Sequence, residues 1–294
     1  MVGKSHSGYW NDWEVNAQID PMYAILSSAD HDQRKWNPKE FFATGDAEID
    51  FIFHHLETLN LAPPRTKFLD FGCGVGRLSR ALAKRFPAGV GVDISPSMIE
   101  MAIDFNKSDA TKIAYIVNKK NDLFQLETAT IGFVYCHIVL QHMPNDLQKV
   151  FIGEFCRVLE PAGVAVFQIP TQRVRNSKDK SRLSKLATIK ALVPTSLKEG
   201  MKRLVRVVDR PRVTMEMNVL AEPIIDAIIS RANCQIIQKV YSNSTEPNHN
   251  GRIEFFDRKE AWRRIACGHA ISPDLSTFYF VKKIAARSGA STPY

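Results

Sequence analysis

Three glycines alternate directly after an apolar run, in the stretch Phe68-Leu-Asp-Phe-Gly-Cys-Gly-Val-Gly-Arg77. Glycine has no side chain, so a backbone built in this way can turn sharply and approach a bound ligand closely. A dinucleotide-binding loop would need its third glycine at position 77, which is Arg77, so the spacing argues against that kind of site. The loop is predicted to hold another ligand, and a tight turn without a ligand is the alternative.

His142 is the residue best suited to proton transfer. It follows a predicted strand, in the sequence Leu-Gln-His-Met-Pro. In the parallel sheet predicted below, this position lies at the carboxyl edge, where ligands bind in open parallel sheets. The unperturbed pKa of imidazole is about 6.5, so His142 can accept a proton at neutral pH. A base of this kind accelerates the reaction of a hydroxyl by about 10²–10⁴-fold. A histidine that only orders its loop is the alternative.

Short β-rich runs and longer helical stretches alternate from Thr66 onward, which predicts an α/β doubly wound, mostly parallel sheet. The predicted strands are Thr66–Phe71, Ala88–Asp93, Lys112–Val117, Ile131–Cys136 and Gly163–Ile169. The predicted helices are Gly76–Phe86, Pro96–Asn106, Asp146–Leu159 and Met217–Arg231. Two further strands, Gln235–Tyr241 and Ser276–Lys283, are predicted to add an antiparallel edge to the sheet.

The composition suggests four segments. Residues 1–60 are helical and rich in aromatic side chains, and they form either a cap over the strand ends or a layer packed on the outer face of the sheet. Residues 61–170 and 214–284 form the Rossmann-like domain. Residues 171–213 are a basic helical insertion, and residues 285–294 are a flexible tail.

The glycine loop, written Asp70-x-Gly72-x-Gly74-x-Gly76, resembles the first motif of class I S-adenosylmethionine-dependent methyltransferases. In that family the loop lies against the amino-acid part of the cofactor, and an acidic residue at the end of the second strand binds both ribose hydroxyls. Gly91-Val-Asp93-Ile-Ser95 supplies the acidic residue, 17 positions after Gly76. A carboxylate suits this role because it accepts two charge-assisted hydrogen bonds at once. For Asp93 alone, a helix cap is the alternative.

The resemblance continues in sequence order. Asn118, with Asp122 close behind, matches the position that lies near the adenine, and Arg157-Val-Leu-Glu-Pro-Ala-Gly163 resembles the turn before the fifth strand. The stretch from Phe133 to Pro144 is similar to the fourth motif, except that Gly132 replaces the usual aspartate. The resemblance implies S-adenosylmethionine as cofactor, and the candidate cofactor-binding set also includes Ile94 and His137. A structural role within the apolar strand is the alternative for His137.

The predicted reaction is transfer of a methyl group from this cofactor to an oxygen of a sugar, a glycan precursor or another small metabolite. The sugar preference follows from the stretches Trp36–Gly45 and Val139–Pro144, which look like those of bacterial methyltransferases associated with glycan assembly. Methylation of nitrogen or carbon is one alternative. A noncatalytic partner subunit that keeps the fold is another.

The net charge of +8 is concentrated in the insertion, where residues 171–213 carry thirteen Lys or Arg against three Asp or Glu. Apolar residues recur there at helical spacing, so the segment could be a helix that binds an anionic membrane surface, a cover for an acidic substrate, or a solvated cationic face. Nucleic acid is an improbable partner, because the segment has no aromatic residue on which bases could stack.

Other residue types point to few further functions. The five cysteines show no Cys-x-x-Cys pair, and no metal site is predicted. No apolar run approaches the roughly 20 residues that a membrane span needs, and the first residues lack the features of a secretory signal. The predicted location is cytoplasmic, with possible peripheral contact to a membrane through the insertion.

Overall fold

An eight-stranded sheet organises the computed structural model, which describes residues 6–26, 36–107, 112–173, 217–242, 253–266 and 274–284. Its strands are β1 (Lys67–Phe71), β2 (Ala88–Asp93), β3 (Lys112–Val117), β4 (Ile131–Cys136), β5 (Leu159–Arg173), β6 (Cys234–Ser242), β7 (Phe255–Phe256) and β8 (Asp274–Lys283). Their order is β3-β2-β1-β4-β5-β8-β6-β7. The first five strands are parallel, whereas β8, β6 and β7 pair antiparallel. The predicted Rossmann-like fold with an antiparallel edge is confirmed.

Eight α-helices occur in the described residues. They are α1 (His6–Ile19), α2 (Pro21–Ile25), α3 (Pro38–Thr58), α4 (Arg77–Ala83), α5 (Pro96–Asn106), α6 (Asn145–Val158), α7 (Glu222–Arg231) and α8 (Arg258–Ala266). A short 3₁₀ turn, Leu140–His142, precedes α6. Helix α5 begins as the sequence predicts, because the Ser95 hydroxyl accepts a hydrogen bond from Met98 N and Pro96 fills the first helical position.

Both faces of the sheet are buried. On one face Leu69 and Val134 pack with Phe151, Phe155 and other side chains of α6 and α7. On the opposite face the alternate strand residues pack against the apolar side chains of α3 and α4. Burial on both faces explains why β4 is apolar along its whole length instead of alternating.

The structure corrects several predicted element bounds. Helix α7 begins at Glu222 instead of Met217, because residues 217–221 are held to the 3₁₀ turn and to β5: Asn218 N donates to Gln141 O and Leu220 N donates to Pro170 O. Strand β5 is longer at both ends than predicted. The short β7 and the helix α8 carry too little periodic signal to be predicted from the sequence.

Most of the basic insertion lies outside the described residues, which stop at Arg173 and resume at Met217, and so does the predicted tail. The helical structure predicted there therefore stays a prediction. No helix in the described ranges combines the length and apolar character needed to cross a membrane.

Arg157 joins α6 to the loop before β4. Its guanidinium donates to both carboxylate oxygens of Glu154, to the Leu123 and Leu126 carbonyls and to the Thr128 hydroxyl, over 2.7–3.0 Å. These contacts explain why an arginine stands at the start of the sequence Arg157-Val-Leu. Planar, forked donors make these bonds, and a lysine ammonium cannot reproduce them.

Arg157→Lys is expected to lower the free energy of unfolding by about 1–3 kcal/mol, since several hydrogen bonds to partly buried acceptors are lost. Urea denaturation would measure the change. As a control, Lys149→Ala removes a pair with Asp146 whose side chains are largely exposed, and it is expected to change stability by less than about 0.5 kcal/mol. An equal effect of the two variants would contradict the interpretation.

Candidate functional site

A pocket of about 990 Å³, counting its open mouth, lies at the carboxyl ends of β1, β2 and β4. This is the edge at which ligands bind in open parallel sheets. Six of the predicted cofactor-binding residues line it, namely Gly72, Gly74, Asp93, Ile94, Asn118 and His137. Among the described residues, four other predicted site residues lie outside the lining: Asp70, Gly76, Asp122 and His142.

The glycine loop turns away from β1 with left-handed backbone at all three glycines. Gly72 has φ of 75°, and a Cβ placed on it would lie 2.2 Å from Val139 Cγ2. Gly74 has φ of 51°, and its Cβ would lie 2.6 Å from Ile25 Cδ1. The glycines are therefore required by neighbouring side chains that themselves line the pocket, in addition to the close backbone approach that the spacing predicts.

Asp93 ends β2 and ties the glycine loop to the start of α5. Its Oδ2 accepts a hydrogen bond from Gly74 N and its Oδ1 accepts one from Ser95 N, both at 2.9 Å. Burial raises the pKa of this carboxyl, and the backbone donors of Ser95 and Gly74 partly offset the rise. Two carboxylate oxygens can accept about four hydrogen bonds, so Asp93 keeps capacity for hydroxyl donors of a ligand in the pocket.

Helix α1 docks onto the first turn of α5 through Glu14. The Ser95 hydroxyl donates to Glu14 Oε2 at 2.6 Å, and the Ser97 hydroxyl donates to Oε1. Burial works to raise the pKa of Glu14, but these hydrogen bonds prevail and lower it. A carboxylate at a helix N-terminus is stabilised by the helix dipole. This contact brings Trp13 to the pocket wall, and α2 brings Ile25 to it.

Asn118 lies at the end of β3, where its backbone N–H donates to Asp93 O at 2.7 Å. Its side chain orders the following loop, because Nδ2 donates to Asp122 O and Oδ1 accepts from Lys120 N. Asn118 and Lys120 line the pocket, whereas Asp122 is exposed outside it. Of the two residues predicted to lie near the adenine, Asn118 and Asp122, the structure therefore places only Asn118 in the pocket wall.

Asp70 is buried beneath the glycine loop, where Ser79 Oγ donates to its Oδ2 at 2.6 Å. Burial raises the pKa of Asp70 to about 7, although the Ser79 hydrogen bond and the charge of Arg77 oppose the rise. Gly76 faces Tyr115 and Asn106 instead of the pocket. In this structure Asp70 and Gly76 lie outside the pocket lining and contact the residues that support the loop. The sequence predicts instead that they contact the cofactor.

The raised pKa of Asp70 makes stability depend on pH. The folded protein holds the proton up to about pH 7 and the unfolded chain only to about 3.8, so the stability from the bound proton is present below pH 3.8 and is lost as pH rises through 7. Asp70→Asn should remove this loss, which amounts to at most about 4 kcal/mol at 1.36 kcal/mol per pH unit. Urea denaturation at pH 5 and pH 8 would show a shallower pH dependence in the variant, while the exposed Asp104→Asn should match the wild type. Equal slopes for Asp70→Asn and the wild type would refute the raised pKa.

The two histidines after β4 occupy different surroundings. His137 is the first residue after the strand and lines the pocket, but its side chain is wholly buried, with Nδ1 lying 2.7 Å from Glu48 Oε1. His142 ends the 3₁₀ turn, and its ring packs edge-on against Trp13 at 5.2 Å between centroids. His142 thus contacts a residue of the pocket wall but does not itself line the pocket.

Several lining residues are not identified by sequence reasoning. Arg77, the first residue of α4, is 3% exposed and lines the pocket; Nη2 donates to Glu48 and Nη1 donates to Thr44, while Nε has no hydrogen-bond partner in the described part of the chain. Its position directly after the glycines is a signal that could have identified it. Trp13 and Ile25 carry no such signal, because distant helices bring them to the site.

Over the described residues, no three His, Cys, Asp or Glu side chains are grouped as metal ligands.

Residues 69–167 match the family profile of a methyltransferase domain. A 2-methyl-6-phytyl-1,4-hydroquinone methyltransferase from Synechocystis is 32% identical over 130 residues, which are 43% of this chain and 40% of the relative. A ubiquinone biosynthesis O-methyltransferase from Xanthomonas campestris is 26% identical over 125 residues, which are 42% of this chain and 49% of the relative. The chain thus spans less than half the length of these two curated relatives.

Solved structures share the fold at low identity. An S-adenosylmethionine-dependent methyltransferase from Leishmania major superposes with a TM-score of 0.53 at 11% identity, covering 94% of this chain and 82% of the other. A phosphoethanolamine N-methyltransferase from Haemonchus contortus, bound to phosphoethanolamine and S-adenosylhomocysteine, gives 0.55 at 12% identity, covering 98% and 51%. Residues 69–167 thus match a methyltransferase domain, and the chain shares the fold of S-adenosylmethionine-dependent methyltransferases.

The pocket fits this cofactor. Asp93 offers carboxylate oxygens suited to ribose hydroxyls, and Ile94 and Met98 offer apolar surface beside it. Arg77 lines the same pocket as the glycine loop, so a positive charge, paired with Glu48, lies in the wall beside the loop, where it favours a negatively charged ligand group. The donor set thus suits a ligand with a carboxylate at one end and a nucleoside at the other.

Proposed function

We propose that the protein is an S-adenosylmethionine-dependent methyltransferase that methylates an oxygen of a small organic molecule. The observation that carries this proposal is the shared hydrogen bonding of Asp93 with the glycine loop and the start of α5, inside a pocket at the carboxyl edge of the sheet. The cofactor supplies a methyl group on a positively charged sulfur, which is already a strong electrophile. The protein's part is to hold the acceptor in line and to take its proton.

Two acceptor classes are supported by different observations. The name of one relative, a hydroquinone methyltransferase, favours an aromatic acceptor, and that of the other, a ubiquinone biosynthesis O-methyltransferase, favours oxygen as the methylated atom. Aromatic and thioether side chains in the pocket wall, among them Trp13, Phe71 and Met143, suit a ring of that kind. The sugar or glycan precursor predicted from the sequence is the second class.

His142 is the proton acceptor that the sequence predicts, and it stays a candidate at the edge of the pocket. Its Nε2 lies 3.2 Å from Gln141 Nε2, and its ring contacts the pocket through Trp13. To take a proton from an acceptor, His142 would need that acceptor to extend beyond the lining of the pocket. A cytoplasmic location and contact of the basic insertion with an anionic membrane surface likewise remain proposals.

Isotopically methyl-labelled S-adenosylmethionine would test the function. The protein would be incubated with a substituted hydroquinone, a panel of free sugars and a cell extract, and labelled products would be identified by mass spectrometry. A label on oxygen of a phenol or a sugar supports the proposal and selects the acceptor class. A label on nitrogen or carbon would favour the alternative reactions. Binding of S-adenosylhomocysteine without any labelled product would favour a noncatalytic partner.

A further inference from the structure

A wholly buried glutamine lies within the apolar strand β5. A buried amide such as that of Gln168 is unfavourable unless its oxygen and its nitrogen both find hydrogen-bond partners. Both do, because Oε1 accepts from Ile138 N at 3.0 Å, and Nε2 donates to Gln141 Oε1 at 3.1 Å and to Ser276 Oγ at 2.9 Å. A backbone N–H can only donate, so the amide oxygen must face Ile138. Gln168 thus joins β5 and β8 to the loop that follows β4.

The backbone of Ile138 is held in a conformation that is unusual for its residue type. Its φ of 59° lies in the left-handed region, which β-branched residues rarely adopt. The paired residues of β4 and β5 end with Cys136 opposite Phe167, and beyond them the Gln168 side chain serves as the acceptor for Ile138 N. Backbone of this kind persists where its surroundings over-determine it, and it concentrates at functional sites.

The side chain of Ile138 explains why a glycine does not occupy this turn. It packs against an apolar cluster that includes Ala17 of α1 and Phe41 and Phe42 of α3. Glycine would adopt the left-handed φ without strain, but it could not make this contact. The strain of Ile138 is therefore kept for the sake of packing, and the hydrogen bond to Gln168 helps to offset it.

The turn at Ile138 sets the position of Val139. Both residues line the pocket, and a Cβ placed on Gly72 would lie 2.2 Å from Val139 Cγ2. The Val139 side chain therefore lies directly against the glycine loop, and a change in the φ of Ile138 would move it away. A chain of contacts thus leads from Gln168, which is outside the pocket lining, to the loop that forms the pocket.

We propose that Gln168 is a positioning residue of the cofactor pocket, which holds the left-handed turn at Ile138 and thereby places Val139 against the glycine loop. This inference rests on the proposed function, because it gives this part of the wall a role in binding S-adenosylmethionine. Gln168 acts through the backbone of Ile138 and not by contact with the ligand.

Hydrogen exchange tests the contact without any ligand. In ¹⁵N-labelled wild type, Ile138 N–H should exchange with solvent at least about 100-fold more slowly than an amide of an unstructured peptide, and Gln168→Leu should remove most of this protection. Exchange of Ile138 N–H at the unstructured rate in the wild type would overturn the proposal, and so would full protection in a folded Gln168→Leu.

Ligand binding tests the role of the contact. Gln168→Leu should weaken S-adenosylhomocysteine binding by about tenfold or more, as measured by calorimetry. Ser276→Ala is the matched control, because it removes a partner of the same amide and leaves the bond to Ile138 in place. It should change the affinity by less than about threefold. Equal effects of the two variants would overturn the proposal.

A double-mutant cycle separates the turn from a general structural role. Compared with Ile138→Gly alone, adding Gln168→Leu should weaken binding by less than about threefold, because glycine adopts the left-handed φ without strain. Ala129→Gly is the control background, since Ala129 also has a left-handed φ, of 57°, but lies outside the pocket lining. There Gln168→Leu should keep its full effect. The same loss of affinity in both backgrounds would contradict the proposal.

The outcomes also separate this inference from the proposed function. Unaltered affinity in a folded Gln168→Leu would overturn the inference and leave the proposed function intact. Failure of the wild type to bind S-adenosylhomocysteine would count against the proposed function, and the exchange of Ile138 N–H would still decide whether Gln168 holds the turn. If Gln168→Leu does not fold, Gln168→Asn, whose amide is one methylene further from Ile138 N, replaces it in each test with the same expected direction.

Discussion

Asp93→Ala is expected to weaken S-adenosylhomocysteine binding by about 100-fold or more. The carboxylate accepts from Gly74 N on one oxygen and from Ser95 N on the other, and it keeps capacity for hydroxyl donors of a ribose. Hydrogen bonds to a charged group contribute about 1.5–3 kcal/mol each, and 1.4 kcal/mol corresponds to tenfold in affinity. The substitution also frees the backbone N–H groups of Gly74 and Ser95, so the loop loses its tie to α5. Isothermal titration calorimetry would measure the affinity.

Two further measurements make the result specific. Asp104→Ala, at an exposed pair with Lys107 on α5, should bind the ligand as the wild type does. Circular dichroism should show that Asp93→Ala keeps its helical content, so that weaker binding reflects the site. Unaltered affinity in a folded Asp93→Ala would remove the ribose-binding assignment.

Gly72→Ala is expected to disturb both the fold and the pocket. Its φ of 75° disfavours any side chain, and the new Cβ would lie 2.2 Å from Val139 Cγ2. Since Val139 lines the pocket and precedes the 3₁₀ turn, relief of the clash must displace the pocket wall or the loop. We expect a loss of about 2 kcal/mol or more in unfolding free energy and at least about tenfold weaker S-adenosylhomocysteine binding. Chemical denaturation and calorimetry would measure the two effects.

Gly153→Ala is the matched control. Gly153 lies within α6, and the nearest atom to its added Cβ would be Ile228 Cγ2 at 3.9 Å, an ordinary contact. Alanine is the better helix former, so this variant should gain up to about 1 kcal/mol of stability and bind the ligand normally. Equal behaviour of the two glycine variants would show that the loop tolerates side chains and would contradict its assignment.

The parallel strands were predicted well because each is a short apolar run bounded by turn residues. The bounds of β2, β3, β4 and α5 match the prediction, because proline, serine caps and β-rich composition act over a few neighbouring positions. The start of α7 was wrong because residues 217–221 are held by hydrogen bonds to Gln141 and Pro170, which lie at least 47 residues away along the chain. Local patterns contain no record of such contacts.

By itself, the sequence determined the fold class, the glycine loop and the placement of Asp93 at the end of its strand. These features depend on local conformation and on the order of the strands, which residue type and spacing encode directly. The tertiary structure alone decided that Asp70 lies under the loop, that Trp13 and Ile25 reach the pocket and that Glu48 contacts His137. Those relations join segments distant along the chain, and they arise from the packing of α1, α2 and α3 against the strand ends, which no short-range pattern specifies.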